Sequence, residues 1–265
     1  MKRFFAIFLL TTVLTTGLTT GLSICCEAYA QDDVYLVPNP LAARWSFIET
    51  DNNGKHTSTF YYSVESIDGD AVNGRLKLRV EEVSVDSPKD TVKSFDFYLF
   101  KDGEFIMDMR AGFEYNVFEN KIDSLVRNDI KKKYKDLPKE KEKEVIEEVK
   151  STFIKTSGEM RGIPRYPVVG KLPDCECHCK VNILSLKVVV KDRRIVGKED
   201  IQTEAGSFDC FILEETMTTK FMMMKNVDKI RSWYAYGIGL VKEVTYDKNG
   251  KLVSTMILNE VIGDR

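Results

Sequence analysis

Three thiols, an imidazole and two carboxylates fall within Asp174-Cys175-Glu176-Cys177-His178-Cys179. Such a set admits four chemistries: a metal site, a disulfide hub, a redox centre, or one apolar face of a strand. In an extended strand residues 175, 177 and 179 share a face while Glu176 and His178 take the other. Successive same-face Cα atoms then lie about 6.6 Å apart and the outer pair about 13 Å. Thiolates sharing one zinc at about 2.3 Å must come within about 4 Å of one another. A metal site of Cys175, Cys177, His178 and Cys179 therefore requires a curled loop, for which Pro173-Asp174 leaves an opening. The C-x-C spacing also lacks the helix N-terminus that activates C-x-x-C thiols. Periodicity favours the strand: Cys175, Cys177, Cys179, Val181 and Ile183 hold one parity, and Leu184, Leu186, Val188 and Val190 the other. A bulge or a change of covered face is expected where the parity switches. The thiols are read as extending an apolar face, as small hydrophobes or in disulfides.

Other reactive constellations are missing from the sequence. The chain has 2 histidines, His56 and His178, and neither sits in an H-E-x-x-H motif. It has no G-x-S-x-G elbow and no G-x-x-x-x-G-K-[ST] loop. Gly237-Ile238-Gly239 opens like a dinucleotide fingerprint, but Lys242 stands where the third glycine belongs, so it reads as a relaxed strand start beside Trp233, Tyr234 and Tyr236. Carboxylates are plentiful, yet nothing singles out a catalytic pair, and a hydrolase is the weakest reading. The protein is expected to be non-catalytic and to use no cofactor.

Elements that would position these residues are marked by turn chemistry. Asn53-Gly54, Asn73-Gly74, Asp102-Gly103 and Asn249-Gly250 each lie between strand-like runs, and such pairs accept the positive φ of tight hairpins. The runs are "ARWSFIET", "HTSTFYYSVESID", "RLKLRVEEVSV", "VKSFDFYLF", "EFIMDM", "SFDCFILEETMTTKF", "GLVKEVTY" and "LVSTMILNEVI", rich in β-branched and aromatic residues. Trp45, Phe47, Tyr61 and Tyr62 are expected on one sheet face, and Met222, Met223 and Met224 in core packing.

Phe118, Ile122, Leu125, Val126, Ile130 and Tyr134, then Val145, Val149 and Phe153, recur at helical spacing. They predict helices over about 118–135 and 139–154, a charged hairpin with a solvated face. "TSGEMRGIPRYPVVGKLPD" reads as an irregular connector. The expected organisation is an N-terminal antiparallel β region at 31–117, a helical insertion at 118–156 and a C-terminal antiparallel β region at 157–265. The fold class is mainly β: a curved antiparallel sheet or sheets built from hairpins, a half-barrel or two β halves, with an inserted helical hairpin.

Residues 1–30 bear Lys2 and Arg3, an apolar run from Phe4 to Ile24 and Ala28-Tyr29-Ala30, which predicts a signal peptide. Cys25 and Cys26 raise a lipoprotein alternative, which Ile24 disfavours because a lipidation site wants a small residue there. The mature chain is expected to be periplasmic or extracellular, with no transmembrane segment. With 39 Lys and Arg against 41 Asp and Glu in the full chain, the mixed surface lacks the footprint of a nucleic-acid binder.

"GKLPDCECHC", "VGKEDIQTEAGSFDCFILEETM" and "SWYAYGIGLVKEVTYDKNGKLVSTMIL" resemble the C-terminal half of a secreted or periplasmic family known as a domain of unknown function, the 3108-like family. "LAARWSFIETDNNGKHTSTFYYSV" and "FYLFKDGEFIMDM" resemble its opening strands. The resemblance implies a curved antiparallel β architecture and carries over no catalytic residues. It also implies that relatives carry a cysteine just before the Lys-Asp-Gly turn, where this chain has Phe100. If a bridge forms it is expected to join Cys210 to one of Cys175, Cys177 and Cys179, since a neighbouring strand supplies the required Cα spacing of about 5.5 Å. Two functions stay open: a concave β face binding a hydrophobic or lipid-like ligand, or an assembly protein docking an envelope partner through 118–156.

Overall fold

Alternating burial along Trp45, Phe47 and Glu49, facing Phe60 and Tyr62 on the next strand, shows how one sheet face is removed from water. The computed structural model describes residues 44–69, 73–116, 141, 154–181 and 184–262. Strands β1 (Arg44–Asp51), β2 (His56–Gly69), β3 (Gly74–Ser84), β4 (Val92–Lys101) and β5 (Glu104–Met107) form one antiparallel meander. Helix α1 (Met109–Glu114) follows, capped by Asp108, whose carboxylate accepts from Ala111 N. After β6 (Ile154–Glu159), β7 (Ile163–Pro164) and β8 (Gly170–Lys171), a second meander runs through β9 (Cys175–Val181), β10 (Leu184–Thr203), β11 (Gly206–Phe221), β12 (Met224–Ala235), β13 (Gly239–Asp247) and β14 (Leu252–Ile262).

The two meanders fuse where β1 pairs with β14, giving a single 14-stranded sheet in the order β6-β9-β10-β11-β12-β13-β14-β1-β2-β3-β4-β5-β7, with β8 added beside β10. Every pairing is antiparallel. The sheet is therefore one body rather than two β halves, and it does not close on itself.

Its curvature follows from chain length. At about 4.8 Å per strand spacing, the edges of a flat sheet of this order would stand nearly 60 Å apart. Yet β6 and β7, the two edge strands, are joined by residues 160–162 alone, which span at most about 15 Å. The sheet must curl until its edges meet. Bulges supply the bends, among them those at Lys191/Arg194 and Ile195/Gly197 on β10, where Asp192 takes φ 56°.

At the seam Gly162 N donates to Glu104 Oε2 at 2.9 Å, and Arg161 pairs with the same carboxylate. A Cβ on Gly162 would lie 2.1 Å from the Phe105 carbonyl oxygen, so only glycine fits there. Buried Arg193 then ties three pieces of chain together: Nε to Glu215 at 3.2 Å, Nη1 to the Pro173 carbonyl at 3.2 Å and Nη2 to the Gly162 carbonyl at 3.0 Å. Met109 and Phe113 of α1 pack against Cys175, Cys177 and Cys179 from across this seam.

The turn signals hold at three hairpins. Gly54, Gly103 and Gly250 have φ of 77°, 75° and 81°. Asp51 and Asp247 brace two of them identically: the Asp51 carboxylate accepts from Asn53 N and Lys55 N, and the Asp247 carboxylate from Asn249 N and Lys251 N. Those backbone donors hold both carboxyls below the usual range. At the β2–β3 turn the positive φ falls on Gly69 instead, and Gly74 opens β3 opposite it.

Several expectations are corrected. The connector over 156–174 contains β8 and most of β6 and β7, because short edge strands tolerate the Pro and Gly that break longer ones. "EFIMDM" is a strand only to Met107. Strand β12 was absent from the expected set, since "MKNVDKIRSWYA" opens with polar residues beyond the core. The parity switch after Ile183 is neither bulge nor face change: Val181 pairs with Leu184, so the chain reverses and odd residues come opposite even ones. The helices expected over 118–135 and 139–154 lie outside the described residues, apart from Lys141, which is helical, and Ile154, which already belongs to β6. Residues 154–156 are thus strand rather than insertion.

The ladder gives a direct comparison of neighbours. Arg193→Met, by leaving Glu215 unpaired in a dry seam, should lower stability to urea by about 3 kcal/mol or more. Arg194, whose pair with Glu214 lies in solvent with the arginine side chain 59% exposed, should lose less than about 1 kcal/mol when changed to methionine. Equal losses for the two variants would show that the seam does not depend on Arg193.

Candidate ligand site inside the curled sheet

Sheet register places a row of polar side chains across the inner face. Ser58 on β2 stands opposite Glu49 on β1; Glu49 and Glu243 on β13 both stand opposite Met256 on β14; Glu243 faces Ser232 on β12. Glu49 and Glu243 are therefore two strands apart, about 9.6 Å between backbones. Glu82 joins the row from β3 through a 3.0 Å bond from the Ser58 hydroxyl. One end of the row borders an aromatic wall in which Trp45 stacks on Tyr62 at 5.8 Å and Phe47 meets Tyr62 edge-on at 5.4 Å.

Each carboxyl is only partly satisfied. Ser232 donates to Glu243 Oε2 at 2.9 Å, and Thr57 donates to Glu49 Oε2 at 3.2 Å. Glu49 Oε1, Glu82 Oε2, Glu243 Oε1, Tyr62 Oη, Thr245 Oγ1 and Trp45 Nε1 are buried with no hydrogen-bond partner among the described residues. An unpaired buried polar atom costs about 1–3 kcal/mol, so this concentration is a marked departure from a satisfied core. Burial raises the carboxyls of Glu49, Glu82 and Glu243 above their ordinary range, Glu243 most of all, against the lowering effect of their hydroxyl donors. Tyr62 is pushed up by burial and by the nearby Asp96, Glu243 and Glu82 carboxyls, which marks it as facing the same group. Arg193 is the buried basic side chain of the described residues, and Glu215 already engages it.

Sequence reasoning passed over this site. The signal that would have found it is parity: Glu49 follows Trp45 and Phe47 at the same alternation, which puts a carboxyl on the aromatic face.

The cysteines lie elsewhere. Cys175, Cys177 and Cys179 share the buried face of β9 with Leu186, Val188 and Val190, as the strand reading requires. His178 projects to the other face, where Nε2 bonds the Ser185 hydroxyl at 2.9 Å, so it cannot join the thiols on one ion. No described group of three His, Cys, Asp or Glu side chains surrounds a common point. No disulfide joins the four described cysteines, Cys175, Cys177, Cys179 and Cys210. The expected bridge to Cys210 fails on register: β10 separates β9 from β11, and Cys210 pairs with Glu199 while Cys175 pairs with Val190, roughly 30 Å of strand apart. Cys210 instead belongs to a second core on the convex side with Trp233, Val241 and Val244. Burial and the neighbouring Asp209, Asp200 and Glu199 push its thiol up to about 12.

Two other readings change. Met222, Met223 and Met224 form the β11–β12 hairpin tip, with Met223 99% exposed, because the chain turns there at a φ of 56° on Met222 rather than continuing as strand. Tyr61 lies on the outer face under the Arg44 guanidinium, 4.5 Å from its ring, since adjacent strand residues alternate.

Residues 170–258 match the family model described as DUF3108-like, the family that the sequence resembles. No curated protein matches the chain. Among solved structures, a candidate lipoprotein from Parabacteroides distasonis ATCC 8503 is similar with a TM-score of 0.58 and 18% identity, over 88% of this chain and 100% of that one. A candidate exported protein with a YmcC-like fold from Bacteroides fragilis NCTC 9343 is similar with a TM-score of 0.57 and 16% identity, over 87% and 100%. At these identities the likeness is one of fold, and the descriptions of both neighbours accord with export. No described helix is long and apolar enough to cross a membrane.

The buried row makes stability depend on pH. The Glu243 carboxyl is raised in the folded state from an ordinary value of 4.5, so the folded chain holds its proton more tightly than the unfolded chain. Its favourable contribution is complete below about pH 4.5 and is lost as pH rises toward the folded value. Glu243→Gln keeps an acceptor for Ser232 and has no charge to bury. Its melting temperature should exceed that of the wild type at pH 8 and match or fall below it at pH 4, by calorimetry across the two buffers. Parallel curves for the two proteins would place the Glu243 carboxyl in water.

Proposed function

We propose that this chain is an exported envelope protein that holds an amphiphilic small molecule inside its curled sheet. The observation that carries the reading is the set of six buried polar atoms, unpartnered among the described residues, that runs along the inner face from the Trp45–Tyr62 wall. The chain's own side chains cover this wall and these oxygens, so a ligand enters only when the interior opens; its aliphatic or aromatic body would then pack on the wall and its hydroxyl or amine head would donate to Glu49 Oε1 or Glu243 Oε1. The reading refines a purely lipid-like ligand, because buried carboxyls share the inner face with the aromatic cluster. Export is supported by the signal-peptide pattern read over residues 1–30 and by the descriptions of the two structural neighbours. A cavity of about 260 Å³ between β2, β3, β4 and α1 is a poorer candidate, since Asp68, Arg75, Lys77 and Asp108 rim it with charge.

Trp45 and Trp233 are the 2 tryptophans, so Trp233→Phe leaves Trp45 as an internal reporter. Dodecylamine and dodecanol should each give a saturable change in its emission. Glu49→Leu combined with Glu243→Leu should weaken binding at least tenfold, and native mass spectrometry of protein taken from an envelope fraction should show a co-purified amphiphile. Absence of both the saturable response and the bound species would refute the proposal.

A further inference from the structure

We propose that the thiols of β9 and the thioethers packed around them form a binding site for a soft monovalent cation of the Cu(I) type. Cys177 Sγ and Cys179 Sγ are 3.5 Å apart, far closer than the roughly 6.6 Å between their Cα positions in a strand, so the two side chains lean together. Two sulfurs at about 2.3 Å from one ion and 3.5 Å from each other subtend about 100° at the metal. That angle leaves room for a third ligand and does not fit a linear pair.

Met109 is the candidate third ligand. It is the first residue of α1, is buried, and belongs to the same packed cluster as the three thiols. Its neighbours Asp108 and Arg110 both act electrostatically on the Cys177 thiol, which brings the start of α1 to that sulfur. Met217 lies in the same cluster, with Met107 and Met160 at its margin. With His178 turned to the opposite face, the set is sulfur alone, and thiolate and thioether donors select Cu(I) over harder divalent ions. Binding would release the two thiol protons to solvent and leave the ion bonded to two thiolates and one thioether.

Exposed thioethers lie close to the end of β9. The exposed Met222–Met224 tip continues directly from Phe221, which lies in register with Leu186 and, through it, with Cys179. Met222 N also donates to the Ser185 carbonyl at 3.0 Å, which fastens the tip beside the end of β9. Three solvent-facing thioethers therefore stand at the end of the strand that carries the thiols. Soft, exposed methionines are suited to transient capture of such an ion.

The test is titration of the reduced chain with Cu(I) against bicinchoninate under anaerobic conditions, with Ag(I) stoichiometry read by native mass spectrometry. One tightly held ion per chain is expected. Cys177→Ala and Cys179→Ala should each weaken binding at least a hundredfold, Met109→Leu about tenfold, and Cys210→Ala not at all, with circular dichroism confirming that each variant is folded. Met223→Leu should slow uptake and leave the affinity unchanged. Failure of both ions to bind the folded wild type, equal retention of Zn(II), or undiminished Cu(I) affinity in folded Cys177→Ala or Cys179→Ala would overturn the proposal.

Discussion

One guanidinium holds the shape of this molecule. Arg193 reaches from a bulge in β10 to the carbonyl of Gly162, the residue at which the chain passes from one edge of the sheet to the other. A sheet without a continuous hydrogen-bond ladder around its circumference has to be fastened by other means, and here the fastening is a buried charge paired with Glu215 and two carbonyls. The bulges flanking residue 193 matter for the same reason. They turn an arginine in a long strand toward the interior while its neighbour Arg194 stays in solvent.

Fastening by side chains has an energetic signature. A closed ladder shares its load over many backbone bonds, each contributing modestly, whereas this seam concentrates it on Arg193, Glu104 and the close approach at Gly162. Around that seam the interior is layered. An aromatic cluster led by Trp45 and Tyr62 fills one region, the thiol and methionine cluster fills another, and the row containing Glu49 and Glu243 runs across the inner face. A chain selected only for stability would place hydrocarbon in that row, so its carboxyls point to a purpose other than cohesion.

Much of the architecture was legible in local chemistry. Asn-Gly and Asp-Gly pairs marked hairpins because few other residues accept their dihedral angles, and β-branched alternation located most long strands. The resemblance added that the parts belong to one curved sheet. What escaped was non-local. Nothing in "GEMRGIPRY" announces that three residues cross between two sheet edges, since that depends on where thirteen strands have already placed those edges. Strand β12 escaped because it begins in solvent and becomes apolar only near Trp233. The thiol face was read correctly from parity, yet its pairing with Cys210 was not, because sequence distance does not reveal that β10 is long enough to carry the two groups far apart.

Asn116 closes with a broader consequence. Its side-chain amide accepts from Phe95 N and donates to the Phe95 carbonyl at 2.9 and 2.7 Å, occupying on β4 both backbone groups that β5 is too short to reach. An uncovered edge of that length would recruit strands from other molecules. A single carboxamide imitates a neighbouring strand there, so at Phe95 this flank of the sheet offers no open backbone pair to a strand from another molecule, without lengthening the ladder.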